Sequence, residues 1–542
     1  MGQQTAEITA EGQQAHERHP RALAFNNLIL TIILSVCGAM IGVQLLSSIG
    51  ITPSTSLIGA LAAMALARIP MAMFSGYRSI HAQNLAQTSI SSATFGAANT
   101  LFLPIGIPYV FGLPEMVLPM LAGVAMALLL DAWLLYRMFG TPAFPATNPW
   151  PPGVAAAEAI KAGDSGGKQA KILIGGLAVG VIGAILKFPM APFGVAMLGG
   201  LAAMIAFAGG LLTRGYAEPL LGIDVWGMYI PHGMMIGAGL VALVQVARAV
   251  LRSSRAAMAA QEPHSADEDA EGVRRLGRSL RAGAIGYLVI AMLLAFGTGI
   301  YNDMSLAMLL AFVIFATAAA FVHELIVGIA AMHSGWFPAF AVALITLIIG
   351  ILVGFPPEAL VVIAGFSAAT GPAFADMGYD LKTGFLLRGR GADPAFEMEG
   401  RRQQLIAGMV GFVCAIVVVL LSYQGFFAQG KTAPINAAYV AAINAGVSME
   451  TAMSLMLWAI PGAIIQILGG PPKQLGIMVA TGLLINFAMA GWMVLAGIIC
   501  KLVFLRVAGP EKRDLMEVFA GGVIAGDAIY SFFNSGFRAI NK

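Results

Sequence analysis

Long apolar stretches, separated by short polar or Gly/Pro-rich breaks, dominate the chain. A bilayer core needs about 20 residues of helix, and the first stretch, 25–51, exceeds that length. Comparable stretches follow at 54–74, 84–112, 114–138, 170–188, 193–213, 225–251, 280–299, 303–331, 338–354, 357–375, 403–424, 449–468, 475–505 and 514–537. In lipid, runs of this length without strand alternation satisfy their backbone only as helices. The pattern therefore predicts an all-α, polytopic integral membrane protein of about 12–16 transmembrane helices.

Composition supports this prediction and excludes several other classes. Hydrophobic residues make up 58% of the 542 residues and charged residues only 11%, whereas an average soluble domain has about 25% charged residues. A soluble enzyme, a disordered chain and a fibre are therefore excluded. The formal net charge of +3 is too small to indicate a nucleic-acid partner.

Two polar segments divide the chain. Residues 1–24 form a polar N-terminal tail, and residues 252–279 form a polar loop between the transmembrane halves 25–251 and 280–542. Arg248 and Arg252 flank the start of this loop and basic residues also end it, which favours the cytoplasmic side. We expect a multi-pass protein of the plasma (inner) membrane with its N-terminus and the 252–279 loop in the cytoplasm.

The two halves share a short internal repeat. Pro151–Gly163 aligns with Pro434–Gly446 at an offset of 283 residues, and six of the thirteen positions are identical. Both segments are short and bounded by proline, which predicts re-entrant or broken helices at 148–163 and 434–446. Such segments at matching places in two halves are typical of the transport site of a secondary transporter.

Several strings resemble enzyme signatures but lack the rest of the pattern. Residues 163–167 read GDSGG, yet they lie between apolar helices rather than in the strand–turn–helix setting of a nucleophile elbow. Residues 162–169 match a P-loop only in part, and Val327 stands where the second His of a zinc motif beginning at His323 would be. The sequence therefore predicts no catalytic residue, no metal site and no cofactor. Without an ATP-binding motif, transport would depend on an ion gradient.

Ionisable residues within the apolar stretches are candidates for that coupling. Asp527 lies deep in the last stretch, His323 and Glu324 lie in 303–331, and Asp131 lies in 114–138. Buried ionisable groups are costly in a membrane and therefore often functional. We predict Asp527, Glu324 and Glu158, which lies in the first short segment, as proton-coupling candidates. A structural hydrogen bond or a charge that reaches water at a helix end remains the alternative for each.

Polar side chains form two further clusters. On a helix, Asn84, Gln87, Thr88 and Ser91 share one face. The second cluster runs from Thr370–Gly371–Pro372 through Asp376 and Asp380 to Lys382. Such groups can hydrogen-bond a peptide backbone. Hydrogen bonding between helices is the alternative.

At these residues the chain resembles the oligopeptide transporter family, which includes the yellow-stripe-like metal-chelate transporters. Asn84–Thr88 looks like the family's N-x-x-Q-T motif, and Pro151–Gly163 resembles its P-x-G-x-A-x-A-E-x-I-K-A-G segment. Asp376–Leu386 is similar to D-x-x-x-D-x-K-T-G-Y-L, Ala433–Ala437 stands where the family has A-P-Q-A, and Val523–Asp527 resembles I-A-G-E. The matches are in family order from residue 84 to residue 527.

The resemblance implies a secondary active transporter, proton-coupled, that imports short peptides or peptide-like metal chelates. We predict a substrate site formed by Asn84, Gln87, Thr88, Glu158, Asp376, Asp380, Lys382 and Asn436. The partners would be the small peptide or chelate, protons and the lipid bilayer, and homo-oligomer formation stays open. The alternatives are a passive membrane channel for a small solute or ion and an intramembrane enzyme.

Overall fold

A computed structural model describes residues 19–50, 59, 79–148, 150–163, 168–260, 266–334, 339–446 and 448–540. Apart from isolated β-bridges near Phe144, the regular structure within these ranges is helical. Its α-helices are α1 (Phe25–Ile49), α2 (Ile80–Phe95), α3 (Leu103–Phe111), α4 (Val117–Met138), α5 (Pro151–Gly163), α6 (Lys168–Ile185), α7 (Met190–Leu198), α8 (Leu201–Leu221), α9 (Ile230–Ala260), α10 (Ala266–Gly297), α11 (Leu306–Ser334), α12 (Ala339–Val353), α13 (Pro357–Ala369), α14 (Pro372–Leu387), α15 (Pro394–Phe427), α16 (Asn436–Ala445), α17 (Met449–Lys473), α18 (Leu475–Leu484), α19 (Ala488–Ala508) and α20 (Arg513–Ile540).

Nine helical segments among the described residues are long and apolar enough to cross a bilayer. They are Asn27–Ile49, Ile80–Phe111, Pro114–Met138, Glu271–Gly297, Leu306–Met332, Pro357–Leu387, Pro394–Phe427, Met449–Gly470 and Ala488–Ala508. Four shorter apolar helices accompany them. The expected stretch at 54–74 lies almost entirely outside the described residues. The all-helical, polytopic membrane fold predicted from the sequence is confirmed.

The outer surface of the bundle is apolar. Leu352, Leu421, Leu468 and Val507 are each about 80% exposed, whereas many of the polar side chains within the spanning segments are buried. This distribution is the reverse of that in a soluble protein, because lipid tails accept apolar side chains and leave polar groups unsatisfied.

The helix order repeats itself with nearly the offset seen in the short sequence repeat. Pairs of helices in the two halves begin at corresponding positions: α5 and α16, α6 and α17, α7 and α18, α8 and α19, and α9 and α20. The packing follows the same relation, since α6 packs along α20 as α9 packs along α17. The relatedness of the two halves thus extends well beyond the thirteen aligned residues.

Glycines allow these paired helices to pack backbone against backbone. A Cβ at Gly180 of α6 would overlap the carbonyl oxygen of Val523 in α20, and a Cβ at Gly462 of α17 would overlap that of Met234 in α9. Small residues at helix interfaces permit this close approach in membranes.

Two of the spanning segments are interrupted. Between α2 and α3 the chain widens into a π-helical turn, Gly96–Phe102. Pro104 follows this turn, and a proline removes a helical hydrogen bond and clashes with the carbonyl four residues earlier. Between α13 and α14, Gly371 adopts a φ of 96°, a conformation that favours glycine.

The polar segment 252–279 differs from the expected loop. Helix α9 continues to Ala260 and α10 begins at Ala266, so that most of the segment is helical and only residues 261–265 lie outside the description. A polar sequence can extend a helix into water, because backbone hydrogen bonding does not require apolar side chains.

Candidate functional site

A polar cluster lies where α2, α14 and α15 meet inside the bundle. Its eight side chains are fully buried: Asn84, Gln87, Thr88, Ser91, Ser92, Asp376, Asp380 and Gln404. The two polar segments singled out in the sequence are therefore brought together.

Helices α2 and α14 present matching faces that run in opposite directions. Gln87 Nε2 donates to Asp380 Oδ1 at 2.5 Å, and one turn further along α2, Ser91 Oγ donates to Asp376 Oδ1 at 2.8 Å. Asn84 Nδ2 donates to Gln87 Oε1 at 3.0 Å, which extends the row by one more turn. The i, i+4 spacing on both helices produces this ladder.

Gln404 of α15 closes the cluster from the third side. Its Nε2 donates to the carbonyl oxygen of Asp380 at 2.6 Å and to Thr88 Oγ1 at 3.1 Å. Its Oε1 accepts from Arg388 at 2.8 Å. Gln404 thus connects the cluster to a charged group near the end of α14.

Arg388 belongs to a buried ion-pair network. Its Nε donates to Glu397 Oε2 at 2.7 Å, and Arg401 Nε donates to Glu397 Oε1 at 2.6 Å. Burial lowers the pKa of the Arg388 guanidinium, and the hydrogen bond and charge of Glu397 oppose that shift. Asp393 begins α15 by accepting from the backbone N–H groups of Ala395 and Phe396, which positions the network.

A vestibule with several charged residues in its wall adjoins this network. It consists of two neighbouring cavities, about 550 Å³ and about 370 Å³, that share Thr147, Phe385 and Arg390 in their walls. The larger cavity is also lined by Glu397 and Arg401. Hydrogen bonds therefore lead from the vestibule wall through Arg388 and Gln404 to the polar cluster.

Two of the predicted site residues line the vestibule rather than the cluster. Lys382 Nζ donates to the carbonyl oxygen of Ala146 at 2.8 Å, and the smaller cavity lies beside it. Glu158 lines the same cavity, its side chain is 64% exposed, and it pairs with Lys161 at 3.1 Å. Helix α5, which carries Glu158, packs along α14 and also contacts α2.

Asn436 lies apart from both groups. It is fully buried and packs against Gly106 of α3, and its amide has no hydrogen-bond partner among the described residues. The preceding residue, Ile435, lines a separate cavity of about 180 Å³ together with Asn99 and Thr481.

A second group of ionisable residues surrounds the break between α13 and α14. Asp131 of α4 accepts from the Tyr287 hydroxyl at 2.5 Å and from the backbone N–H of Gly371 at 2.7 Å. Glu324 is fully buried and interacts with both Asp131 and Tyr287. The ring nitrogens of His323 lie 2.6 Å from the carbonyl oxygen of Thr370 and 2.9 Å from that of Ala339.

Asp527 lies elsewhere, between α20 and α7. It is 4% exposed, and its Oδ2 accepts from the backbone N–H of Ala191 in the first turn of α7 at 2.8 Å. A carboxylate at this position satisfies a backbone donor that has no partner within its own helix.

Sequence reasoning missed Gln404 and the Arg388–Glu397–Arg401 network. The sequence does carry a signal for Gln404, because the pair Gln403–Gln404 stands at the start of an apolar stretch. The ion pairs carry none, since charged residues beside a predicted span normally mark a solvated helix end.

A bundle of spanning helices that encloses hydrogen-bonding side chains next to a vestibule with charged residues in its wall is typical of a membrane transport protein. Consistent with this class, a family model described as OPT oligopeptide transporter protein matches residues 22–211 and 192–538. The chain belongs to this family of membrane transporters for oligopeptides and metal chelates, which are not enzymes. No curated protein matched the chain in a sequence search.

Proposed function

We propose that the protein imports short peptides, or peptide-like metal chelates, by symport with protons, and that the polar cluster is its substrate site. The observation that carries this proposal is the α2–α14 ladder. Its amides, hydroxyls and carboxylates are fully buried, and they are the types of group that pair with the N–H and C=O groups of a peptide.

In the described conformation the cluster is closed, and its side chains bond to one another. A bound peptide would exchange these bonds for bonds to its own backbone. Such an exchange costs little, because the number of satisfied groups is kept while a buried group left unpaired would be expensive.

The charges around the cluster suit the two ends of a zwitterionic substrate. Asp376 and Asp380 can accept hydrogen bonds from an ammonium group, and Lys382 and Arg390 in the vestibule wall can bind a carboxylate. Asp380 and Lys382 are two residues apart on α14 and project from different faces of the helix, so the two ends of such a substrate would lie in the cluster and in the vestibule.

The vestibule would be the cytoplasmic exit. Arg137 and Arg401 lie close to Arg275 at this end of the bundle, and Arg275 and Arg401 both donate to the carbonyl oxygen of Phe139. An accumulation of basic residues at one end of the spans favours the cytoplasmic side.

Among the three coupling candidates, the environment favours Glu324. Glu158 is exposed and paired with Lys161, and Asp527 supports the first turn of α7. Glu324 is fully buried between spanning helices next to a second carboxyl group, which is an environment that responds strongly to a proton.

The test is uptake into proteoliposomes. The probes are a labelled mixture of di- to pentapeptides and, in parallel, ferric iron bound to a peptide-like chelator. An inward proton gradient should drive one of them above its external concentration, and Gln87→Ala should abolish this uptake. Gln424→Ala, a change at an exposed glutamine on α15, is the matched control. Equilibration without accumulation would indicate a passive channel and would overturn the proposal.

A further inference from the structure

The break between α13 and α14 is held by side chains from two neighbouring helices. Asp131 of α4 accepts the backbone N–H of Gly371, and His323 of α11 contacts the carbonyl oxygen of the preceding residue, Thr370. Helix α14, which begins directly after the break, carries Asp376 and Asp380 of the polar cluster. A change in these two contacts would therefore shift α14 and the carboxyl groups that it contributes to the cluster.

The two carboxyl groups beside the break have different surroundings. Asp131 accepts two hydrogen bonds, from the Tyr287 hydroxyl and the Gly371 N–H, and such bonds favour the ionised form. Glu324 is fully buried next to the Tyr287 hydroxyl, but that hydroxyl donates to Asp131, and neither oxygen of Glu324 has another hydrogen-bond partner among the described residues. Because an unpaired, buried carboxylate is very costly, the neutral acid is the form that this environment accommodates.

His323 makes two further polar contacts beside the break. Both of its ring nitrogens lie within 3 Å of carbonyl oxygens. A neutral ring has a single N–H and donates to one of these oxygens, and the Thr370 hydroxyl lies 3.5 Å from the Nδ1 atom. With Asp131 ionised and Glu324 neutral, the two carboxyl groups carry a single negative charge, whereas two adjacent buried carboxylates would repel each other.

The other elements around the break contribute few charges. Among the described side chains, Tyr287 of α10 is the further titratable group that interacts with both carboxyl groups. Helix α12 contributes the Ala339 carbonyl and contains no ionisable residue, and Glu358 lies at the far end of α13. The nearest ionisable residue on α14 is Asp376, more than one turn beyond Gly371.

We propose that Glu324 is the site of the coupling proton, and that its protonation keeps the α13–α14 break in the described conformation. On release, the O–H bond of the acid breaks and the proton passes to water. The carboxylate that remains lies next to ionised Asp131, and repulsion between the two like charges weakens the hydrogen bond from the Gly371 N–H to Asp131. This inference rests on the proposed proton coupling and identifies the residue that performs it.

Infrared difference spectroscopy of the full-length protein in lipid tests the proton directly, without a substrate. We expect a carbonyl-stretch band of a protonated carboxyl group at neutral pH that is lost in Glu324→Gln. The band should remain in Glu450→Gln, a matched change at an exposed residue of α17. An unchanged band in Glu324→Gln would overturn the inference.

Transport assays then separate this inference from the proposed function. In proteoliposomes, Glu324→Gln should exchange labelled peptide across the membrane but lose accumulation driven by the proton gradient, whereas Glu450→Gln should keep both. Wild-type accumulation in Glu324→Gln would refute Glu324 as the coupling site and leave symport intact. If the wild-type protein itself failed to accumulate any probe, symport would fail, and the infrared band alone would decide whether Glu324 holds a proton.

Discussion

Replacing Gln404 by methionine tests the link between the vestibule and the polar cluster. Methionine has a similar shape but no amide, so the three hydrogen bonds to Arg388, Thr88 and the Asp380 carbonyl disappear. Each buried partner left unsatisfied costs about 1–3 kcal/mol. Measured hydrogen bonds between membrane helices average only about 0.6 kcal/mol. Arg388 retains Glu397 as a partner, which limits its share of the loss. We therefore expect the free energy of unfolding to fall by about 2–4 kcal/mol.

The assay is unfolding in mixed detergent micelles with increasing SDS, with Gln424→Met on the exposed side of α15 as control. A double-mutant cycle with Thr88→Val isolates one of the three bonds, and the pair should be non-additive by about 0.5–1.5 kcal/mol. A loss below about 0.5 kcal/mol for Gln404→Met, or strict additivity in the cycle, would refute the bonding scheme.

Three further predictions concern other parts of the molecule. Gly180→Val should destabilise the protein by about 1–3 kcal/mol in the same SDS assay, because the valine side chain would overlap the Val523 carbonyl oxygen. Wild-type stability of this variant would contradict the close packing of α6 on α20. Asp527→Asn should retain gradient-driven accumulation, because an amide oxygen can still accept from the Ala191 N–H. Asp527→Ala removes this acceptor and should lower the free energy of unfolding by about 1–3 kcal/mol. Loss of accumulation in the Asn variant would indicate that Asp527 carries the coupling proton. Residues 19–24 dock on the bundle through His19, which packs against His81 and Phe396, and through the Ala22 N–H, which donates to Gln403 Oε1. Burial lowers the pKa of His19 to about 4, so this segment, when released, binds a proton in a pH range where the docked segment does not. Docking should therefore be strongest above about pH 6.5 and weaken toward pH 4. A spin label on this segment should become more mobile over that range in the wild-type protein but not in a His19→Asn variant.

The class of fold follows from the sequence because lipid leaves the backbone few choices. Apolar runs long enough to span a bilayer must be helices, and the matching short segments at Pro151 and Pro434 revealed a repeat that the helix bounds extend to other pairs. The faces of α2 and α14 were also visible, since Asn84, Gln87 and Thr88 follow helical spacing.

The contacts between distant segments could not be predicted in the same way. Nothing in the local sequence indicates that Gln404 contacts Thr88, or that Asn436 packs against Gly106, away from the polar cluster. Likewise, Asp131 and Glu324 are far apart along the chain, and only the packing of α4, α10 and α11 around the α13–α14 break brings them together. Periodicity determines the face of a helix but does not determine its neighbour.

Coupled transport is the central claim, and proton flux accompanying peptide uptake measures it most directly. Proteoliposomes containing a trapped pH indicator and no imposed gradient receive the di- to pentapeptide mixture or the ferric chelate from outside. Symport predicts that the lumen acidifies when a transported probe is added, and that an inward proton gradient raises the internal probe above the external concentration. Equilibration of the probe with no change in luminal pH and no accumulation would contradict symport with protons.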